Sequence, residues 1–421
     1  MPIRICMVVP RYPPDRCGVG DYTYLLAQHL AHLDVSVDIL TSRRPALSMT
    51  LQSDAREQAG VRVLALVDDW GWRSLLDICA VIRAGRYDVV HVQYQNEMYG
   101  RSASITALPL ALRILHVHVS TIVTVHDYGT PWPRRIRVRF LAGPYGKGWF
   151  AVMLLISKRI ILTNEQDEYR FLYQRWHYPV PAARYTAIPV GSNLPIPAIA
   201  NDVNIPGDRI FVSEAPMQQQ GSLTPIEVIT VGYFGFVNPG KGVDTLLEGF
   251  ALARHRNPHL RLVMICELHR AAPYHQQLRE RISRADLRDF VTITGELDDI
   301  QAAEHLVHCD IVALPFRDGV SLRRTTLMAA LTLSRPVIST IAIVPPQNVV
   351  AGRDLVLIPP GDTEALARVI VELADDPARR AMLGRRAREA ARAFAWPTIA
   401  ERTVALYRQV VAAAQLGKSS I

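Results

Sequence analysis

The amino-acid sequence predicts an α/β protein of two doubly wound domains, each built on a parallel sheet. Three observations predict this fold class: short apolar runs alternate with helical patterns, the alternation occurs twice along the 421 residues, and a polar stretch divides the two series. Near-continuous apolar runs are typical of strands buried on both faces, as in parallel sheets covered by helices. The length agrees with two or three domains at ~150 residues per domain.

Each half contains runs that we predict as strands, with helical patterns between them. In the first half the strands are Arg4–Val9, Ser36–Thr41, Asp88–Gln93, Thr121–Val125 and Arg159–Thr163, and the clearest helices are Asp21–Leu33 and Trp72–Ala84. In the second half the strands are Glu227–Gly232, Leu260–Cys266, Phe290–Thr294, Ile311–Leu314 and Pro336–Thr340, with helices over Val243–Arg254, Tyr274–Ala285, Ile300–His308 and Arg324–Leu333.

The polar, proline-bearing stretch between the halves has the composition of a linker. We therefore expect a first domain over residues 1–195, a linker over 196–225, a second domain over 226–395, and a last helix over 396–421 that crosses back to the first domain. Two such domains would face a central cleft, and ligands bind doubly wound sheets at the carboxyl ends of their strands.

Composition excludes several classes of protein. Hydrophobic residues make up 49% and charged residues 20%, which is typical of a folded chain. No secretory signal is visible, and the longest apolar stretch, Trp149–Ile156, is far shorter than the ~20 residues of a membrane-spanning helix. We expect a cytoplasmic protein with reduced cysteines. Because no Cys/His pattern has metal-ligand spacing, we expect no metal and no cofactor.

The net charge of +8 predicts an affinity for phosphates, in nucleotides, nucleic acid or anionic lipid. No nucleic-acid-binding module is recognisable, which disfavours that partner. Arginines interleaved with aromatic residues over 132–150 suit an anionic membrane surface or a lipid-phosphate acceptor, and a solvated basic helix is the alternative. A peripheral position at the inner face of the membrane therefore stays open.

Two candidate ligand contacts follow strands of the first half. Gly18 and Gly20 lie between the first strand and its helix, where they would let the backbone approach a ligand; a tight strand-to-helix turn is the alternative. His126, with Asp127, ends the strand that begins at Thr121, where it could hydrogen-bond a sugar hydroxyl or act through a near-neutral titration. The alternative for His126 is a residue that only caps the end of the strand. Asn96 and Glu97 occupy an equivalent place after the preceding strand.

Two further candidates follow strands of the second half. The loop from Gly235 to Gly242 carries Asn238 and Lys241, and a lysine at the mouth of a helix suits a diphosphate; the spacing is not that of a Walker A loop. The loop from Pro315 to Thr326 places Arg323 and Arg324 at the start of a helix, an unfavourable position unless an anion is bound there.

These blocks, in this order, resemble glycosyltransferase family 4, the retaining enzymes of the GT-B fold, over nearly the whole chain. The blocks are the Pro13–Pro14 to Tyr22 loop, Asp88–His91, Thr124–Asp127, Ile188–Gly191, Gly235–Gly242, Gly295–Glu296, Ser334–Thr340 and the tail from Phe394 to Tyr407. The resemblance implies a nucleotide diphosphate sugar bound mainly to the second domain, no metal, and retention of anomeric configuration. It also implies that His126 contacts the donor sugar, that Lys241 holds the diphosphate, and that the nucleobase lies near Glu296.

One departure from the family pattern is informative. Most relatives carry two glutamates separated by seven residues, and the corresponding positions here are Ser321 and Ala329; Phe236 stands where an arginine is usual. The loop instead resembles a subgroup with Asp-Gly-x-Ser-x-Arg-Arg. Our hypothesis is that Arg323 and Arg324 replace the missing arginine, and that Asp318 or Ser321 contacts the sugar.

The sequence thus predicts a hexosyltransferase that moves a sugar from a nucleotide diphosphate donor to a glycan or lipid-linked acceptor. The candidate catalytic residues are His126, Lys241, Asp318 and Arg324; the candidate binding residues are Gly18, Gly20, Asn96, Glu97, Asp127, Gly235, Asn238, Glu296, Ser321, Arg323 and Thr325. Two alternatives stay open: a catalytically inactive GT-B protein that binds a nucleotide sugar or a partner, and a GT-B epimerase, for which no convincing acid–base pair is visible.

Overall fold

The structure is a computed structural model that describes residues 2–15, 17–43, 60–100, 103–127, 148–164, 180–197, 228–284, 286–346 and 348–418. The chain forms two compact units, Met1–Gly191 with Ala395–Ile421, and Ser192–Phe394. Most of the expected linker at 196–225, and the arginine-aromatic stretch from 132 to 147, lie outside the described residues.

The first unit is built on a seven-stranded parallel sheet in the order β3-β2-β1-β4-β5-β6-β7. Its strands are β1 Ile3–Val8, β2 Val35–Ser42, β3 Val61–Val67, β4 Val89–Gln95, β5 Ser120–Asp127, β6 Arg159–Leu162 and β7 Tyr185–Ala187. Its helices include α1 Gly18–Ala31, α2 Ser74–Gly85 and α3 Ser104–Ile114, and residues 148–156 are also helical.

The second unit is built on a six-stranded parallel sheet in the order β10-β9-β8-β11-β12-β13. Its strands are β8 Ile229–Phe234, β9 Leu260–Ile265, β10 Val291–Ile293, β11 Ile311–Leu314, β12 Val337–Thr340 and β13 Val356–Ile358. Its helices are α4 Val243–Arg256, α5 Pro273–Ile282, α6 Asp299–Val307, α7 Thr325–Thr332, α8 Thr363–Asp375 and α9 Pro377–Ala391.

The central strands of both sheets are buried on both faces, as the unbroken apolar runs predict. All four residues of β11 and of β12 are buried, and so are the last four of β1. A fully buried aliphatic side chain stabilises the fold by roughly 1.5–3 kcal/mol, so these strands dominate the core. The prediction of two doubly wound parallel sheets is confirmed.

The last helix, α10, spans Trp396–Lys418 and belongs to the first unit. It packs on α1, where the Trp396 and Tyr22 rings lie 5.3 Å apart between centroids. The Tyr407 side chain is fully buried. The chain therefore completes the first unit only after passing through the second. Within the described residues, no helix is both long and apolar enough to cross a membrane.

Candidate functional site

Each sheet has one place where the strand order reverses, between β1 and β4 in the first unit and between β8 and β11 in the second. Ligands of open parallel sheets bind beyond the carboxyl ends of the strands at such a switch point. We call the carboxyl ends of β1, β4 and β5 the first edge, and those of β8 and β11 the second edge. Nearly all the predicted site residues follow one of these strands; Glu296 follows β10.

At the first edge, the two candidate glycines lie inside the first turn of α1, which begins at Gly18 and not at Asp21 as the sequence suggested. A Cβ on Gly20 would stand 2.6 Å from the carbonyl oxygen of Arg11, so this glycine is required by packing of the helix start. A Cβ on Gly18 would meet nothing within 4 Å. Of the two glycines, only Gly18 has open space beside it.

His126 is buried near the end of β5, and its Nε2 lies 2.8 Å from Oε1 of Gln93. Its ring also contacts the Tyr22 ring, edge to face, at 4.7 Å between centroids. Burial lowers the pKa of His126 to about 3, because desolvation disfavours the imidazolium. Of the two roles considered for His126, hydrogen bonding by a neutral ring fits this site, and a proton transfer tuned near pH 7 does not.

A line of buried hydrogen bonds continues from His126 into the unit. Gln93 Nε2 lies 3.5 Å from Nε2 of His91, whose Nε2 also lies 2.7 Å from Thr124 Oγ1. Nδ1 of His91 lies 2.6 Å from the hydroxyl of Tyr407 on α10. We call these five residues the polar chain. Sequence reasoning missed it, although polar residues at 91 and 93 within the apolar strand Val-Val-His-Val-Gln were a usable signal.

For the other candidates at the first edge, the structure gives the position of the backbone. Asn96 and Glu97 lie in a short 3₁₀ helix, Asn96–Tyr99, directly after β4, and Glu97 is exposed. Asp127 is the last residue of β5. The side chains of Asn96 and Asp127 lie outside the described atoms.

At the second edge, the loop after β8 lies against the loop after β11. Gly242 has φ +68°, and a Cβ there would stand 1.9 Å from the carbonyl oxygen of Pro315, so only glycine fits. The amide of Arg317 donates to the carbonyl of Gly240 at 3.0 Å. A Cβ on Gly235 would stand 2.6 Å from Cγ2 of Thr326. The two loops are thus held together by backbone contacts.

Lys241 closes a 3₁₀ turn that begins after Asn238, immediately before α4. Its Nζ lies 5.2 Å from the centroid of the Phe316 ring. Burial, and then the charges of Arg324 and Arg323 with Asp318 opposing them, lower the pKa of Lys241 to about 8. A bound anion would raise the pKa of Lys241 again, because an opposite charge favours the ammonium form.

Arg323 and Arg324 reach the same place from the loop after β11. The guanidinium of Arg324 stacks on the Phe316 ring, with Cζ 3.9 Å from its centroid, and the Arg324 side chain is 10% exposed. Both arginines donate to the carboxylate of Asp318, Arg323 at 3.1 Å. We call Lys241, Arg323 and Arg324 the cation cluster. The sequence led us to expect an anion beside the two arginines. Within the protein itself, the carboxylate of Asp318 is such an anion.

The family resemblance aligns Ser321 and Ala329 with the expected glutamate pair, and both residues are fully buried. The amide of Arg323 donates to Ser321 Oγ at 3.4 Å. Asp318, 47% exposed, is therefore better placed than Ser321 to meet a sugar. Thr325 begins α7, and the buried hydroxyl of Thr326 has no hydrogen-bond partner among the described residues.

Glu296 is exposed after the edge strand β10, next to Gly295, where a Cβ would meet nothing within 4 Å. Among the described residues, no group of three or more His, Cys, Asp or Glu side chains could hold a metal ion. The second edge instead offers three cationic side chains and the N-termini of α4 and α7. This combination suits a diphosphate, since arginine forks and helix amides both bind phosphate oxygens.

Two doubly wound parallel sheets, each with candidate ligand-binding loops at its switch point, define a GT-B protein. The solved structure of sucrose-phosphate synthase from Thermosynechococcus elongatus superposes with a TM-score of 0.68 at 20% identity, over 98% of this chain and 100% of that one. HepE from Anabaena, solved in complex with UDP, superposes with a TM-score of 0.66 at 16% identity, over 97% of this chain and 100% of that one. At these identities the likeness shows the fold.

The family follows from sequence comparison. Residues 17–191 match the model of the glycosyl transferase 4-like domain, and residues 228–376 match that of glycosyl transferases group 1. The D-inositol 3-phosphate glycosyltransferase of Streptomyces avermitilis is 24% identical over 96% of this chain and 87% of that protein. The two models together span most of the chain, which belongs to the glycosyltransferases of this family 4-like group and has the GT-B fold.

Proposed function

We propose that the protein transfers a hexosyl unit from a nucleotide diphosphate sugar to a glycan or lipid-linked acceptor, with retention of configuration and without a metal. The observation that carries this proposal is the cation cluster at the second edge. Three basic side chains from two loops converge around Phe316 and Asp318, at the switch point where this fold class binds ligands.

The proposed chemistry is electrostatic. The bond from the anomeric carbon to the diphosphate breaks, and the departing diphosphate gains negative charge. Lys241, Arg323 and Arg324 are held in place before the reaction, so they stabilise that charge without reorganisation. Removing one such preorganised contact typically costs about 10²–10³ in rate.

Retention is proposed to occur without a covalent glycosyl-enzyme. The acceptor oxygen would bond to the anomeric carbon on the face from which the diphosphate leaves, and the acceptor proton would pass to the leaving phosphate oxygen. The hydrogen-bond partner of His126 is the neutral amide of Gln93, and no described carboxylate bonds to this histidine. In this proposal neutral His126 contacts the donor sugar, as the family resemblance implies.

A binding protein without catalysis is the second candidate function. It is favoured by one observation: the two glutamate positions of the family hold Ser321 and Ala329, both fully buried. On this reading the cation cluster would still bind a nucleotide sugar, and the donor would not be consumed.

The deciding experiment begins with thermal unfolding of the full chain against nucleoside diphosphates and their hexoses, with UDP first because HepE was solved with it. A ligand at a hundred times its dissociation constant adds ~2.7 kcal/mol of stability. Donor consumption is then measured with glycan, lipid-linked and D-inositol 3-phosphate acceptors, with and without EDTA. Binding with turnover supports the transferase, and binding without turnover on any acceptor supports the second candidate. No binding of any nucleotide would overturn both.

A further inference from the structure

The five residues of the polar chain connect the candidate sugar contact with the last helix of the protein. They lie in one unit, on β4, β5 and α10, and all of them are buried. Tyr407 and His91 are 316 positions apart in sequence and are joined by a hydrogen bond of 2.6 Å. The proposed function uses only His126, so the other four side chains have no assigned role.

The donor–acceptor direction of the hydrogen bonds in the polar chain follows from Gln93, because its side-chain amide has an acceptor oxygen at one end and a donor NH₂ at the other. The Gln93 amide presents Oε1, an acceptor, to Nε2 of His126 and presents its NH₂, a donor, to Nε2 of His91. With the amide in this orientation, Nε2 of His126 carries hydrogen and donates. Nε2 of His91 must be bare, and it accepts from Gln93 and from the hydroxyl of Thr124.

The far end of the chain completes this assignment. With its Nε2 bare, neutral His91 carries hydrogen on Nδ1, which donates to the hydroxyl oxygen of Tyr407. In the opposite arrangement, the Gln93 amide is flipped and both histidines exchange tautomers together. The hydroxyl of Tyr407 can accept from Nδ1–H or donate to a bare Nδ1, so the orientation of the Gln93 amide selects the first arrangement.

We propose that Gln93, His91 and Tyr407 are positioning residues that hold His126 in the neutral Nε2–H tautomer, with Nδ1 as the nitrogen presented to a ligand. Among the described residues, Nδ1 of His126 has no hydrogen-bond partner. A bare Nδ1 accepts a hydrogen bond and does not donate one. His126 would therefore recognise a hydroxyl of its ligand as an acceptor. The consequence for transfer rests on the proposed function, and the tautomer itself does not.

The test is nitrogen NMR of the full chain with ¹⁵N-labelled histidine at neutral pH. The His126 and His91 signals are assigned by their loss in His126→Gln and His91→Gln. Each neutral ring nitrogen reports whether it carries hydrogen. We expect His126 to be protonated on Nε2 and His91 on Nδ1. A His126 ring protonated on Nδ1 in the wild-type chain would overturn the proposal.

Tyr407→Phe removes the acceptor of the His91 Nδ1–H and keeps the ring. We expect a mixture of tautomers at both histidines in this variant. Tyr22→Phe is the matched control, because Tyr22 is a buried tyrosine whose ring contacts His126 and whose hydroxyl has no partner among the described residues. Its spectrum should keep both wild-type tautomers. Unchanged tautomers in Tyr407→Phe would contradict the coupling.

If Tyr407→Phe does not fold, Thr124→Val tests the same hydrogen-bonded residues, because it removes the hydroxyl that donates to His91 Nε2 and keeps the side-chain shape. With an active donor in hand, an even mixture of tautomers halves the population of the competent one, so kcat should fall about twofold and the donor KM should change less than kcat. If the NMR result is as expected but no acceptor gives turnover, the positioning of His126 is supported and only the proposed function is contradicted.

Discussion

The first and second edges are built on the same sheet topology and carry opposite kinds of polar group. The buried polar side chains of the first edge are neutral and hydrogen-bonded to one another, with His126 kept uncharged by burial. The second edge holds three cations around one carboxylate and one aromatic ring. Desolvation alone suffices to keep a histidine neutral, but clustered cations need an anion or a ring to offset their repulsion. Under the proposed function, the first edge recognises neutral groups of the ligand and the second edge binds its anionic group.

Removing Arg324 should break this contrast most strongly. Arg324→Ala loses a guanidinium that is stacked on Phe316 and paired with Asp318, and we expect kcat/KM for the donor to fall by about 10²–10³. Donor titration calorimetry and release of the nucleoside diphosphate measure it. Arg317→Ala is the matched control, because Arg317 lies in the same loop and pairs with Asp244. Equal losses in the two variants would show that the loop matters and Arg324 does not.

Acidification tests the neutral character of the first edge. Burial lowers the pKa values of His91 and His126 to about 3 from 6.5, so the unfolded chain binds more protons below pH 6.5. Stability from this pair is full above pH 6.5 and is lost as the pH falls toward 3. Between pH 7.5 and 5.5 the free energy of unfolding should drop by about 1.4 kcal/mol per histidine, ~3 kcal/mol for the pair.

Chemical denaturation of the full chain at several pH values measures that loss. His126→Gln should remove about half of the histidine contribution, while His32→Gln, at an exposed position on the end of α1, should leave the pH dependence as it is. An unchanged pH dependence in His126→Gln would mean that His126 is not held neutral by the fold.

The two glycines at the start of α1 separate a packing role from a ligand role within the first edge. Gly20→Ala places a methyl group 2.6 Å from the Arg11 carbonyl oxygen and should cost about 1–3 kcal/mol of stability, as overpacking does. Gly18→Ala meets no atom within 4 Å and should keep the melting temperature while weakening ligand binding. Thermal unfolding with and without ligand distinguishes them. Equal melting temperatures for both variants would contradict the assignment.

Alkaline pH tests whether the charge of Lys241 binds the donor at the second edge, and it is the smallest effect that we expect. Because the pKa of Lys241 is lowered to about 8 and the ammonium form binds the diphosphate, donor affinity should fall as the pH rises through 8. Between pH 7 and 9 the charged fraction of Lys241 falls about tenfold. The dissociation constant should therefore increase about tenfold, which corresponds to ~1.4 kcal/mol. Lys241→Arg, which stays charged over this range, should remove the dependence. A dependence that persists in Lys241→Arg would assign it to another group.

The sequence predicted the central strands and the edge strand β10, and it missed the other three edge strands. β3, β7 and β13 were not predicted, and all three are edge strands whose residues are mostly only half-buried. An edge strand has a weaker apolar pattern because one side meets solvent. The second-edge arginines could be found from their loop alone, since their position after a strand and before a helix carries the signal.

The polar chain could not be predicted in the same way. Its partners come from β4, β5 and α10, so nothing local in the sequence pairs Tyr407 with His91. The pairing of Asp318 with both arginines was also missed, although the three residues are close in sequence. The sequence identified the charged residues of this loop. Only the loop geometry shows that the carboxylate of Asp318 pairs with both Arg323 and Arg324.

The position of α10 has a consequence for how the protein is made. The first unit is discontinuous, and its last helix is translated after the whole second unit. Domains generally fold as they emerge from the ribosome, N-terminal first. Here the 191-residue amino-terminal segment leaves the ribosome without the helix that carries Tyr407. A stop codon at any position before 407 would therefore truncate the polypeptide at one end and change the surroundings of His91 near the other.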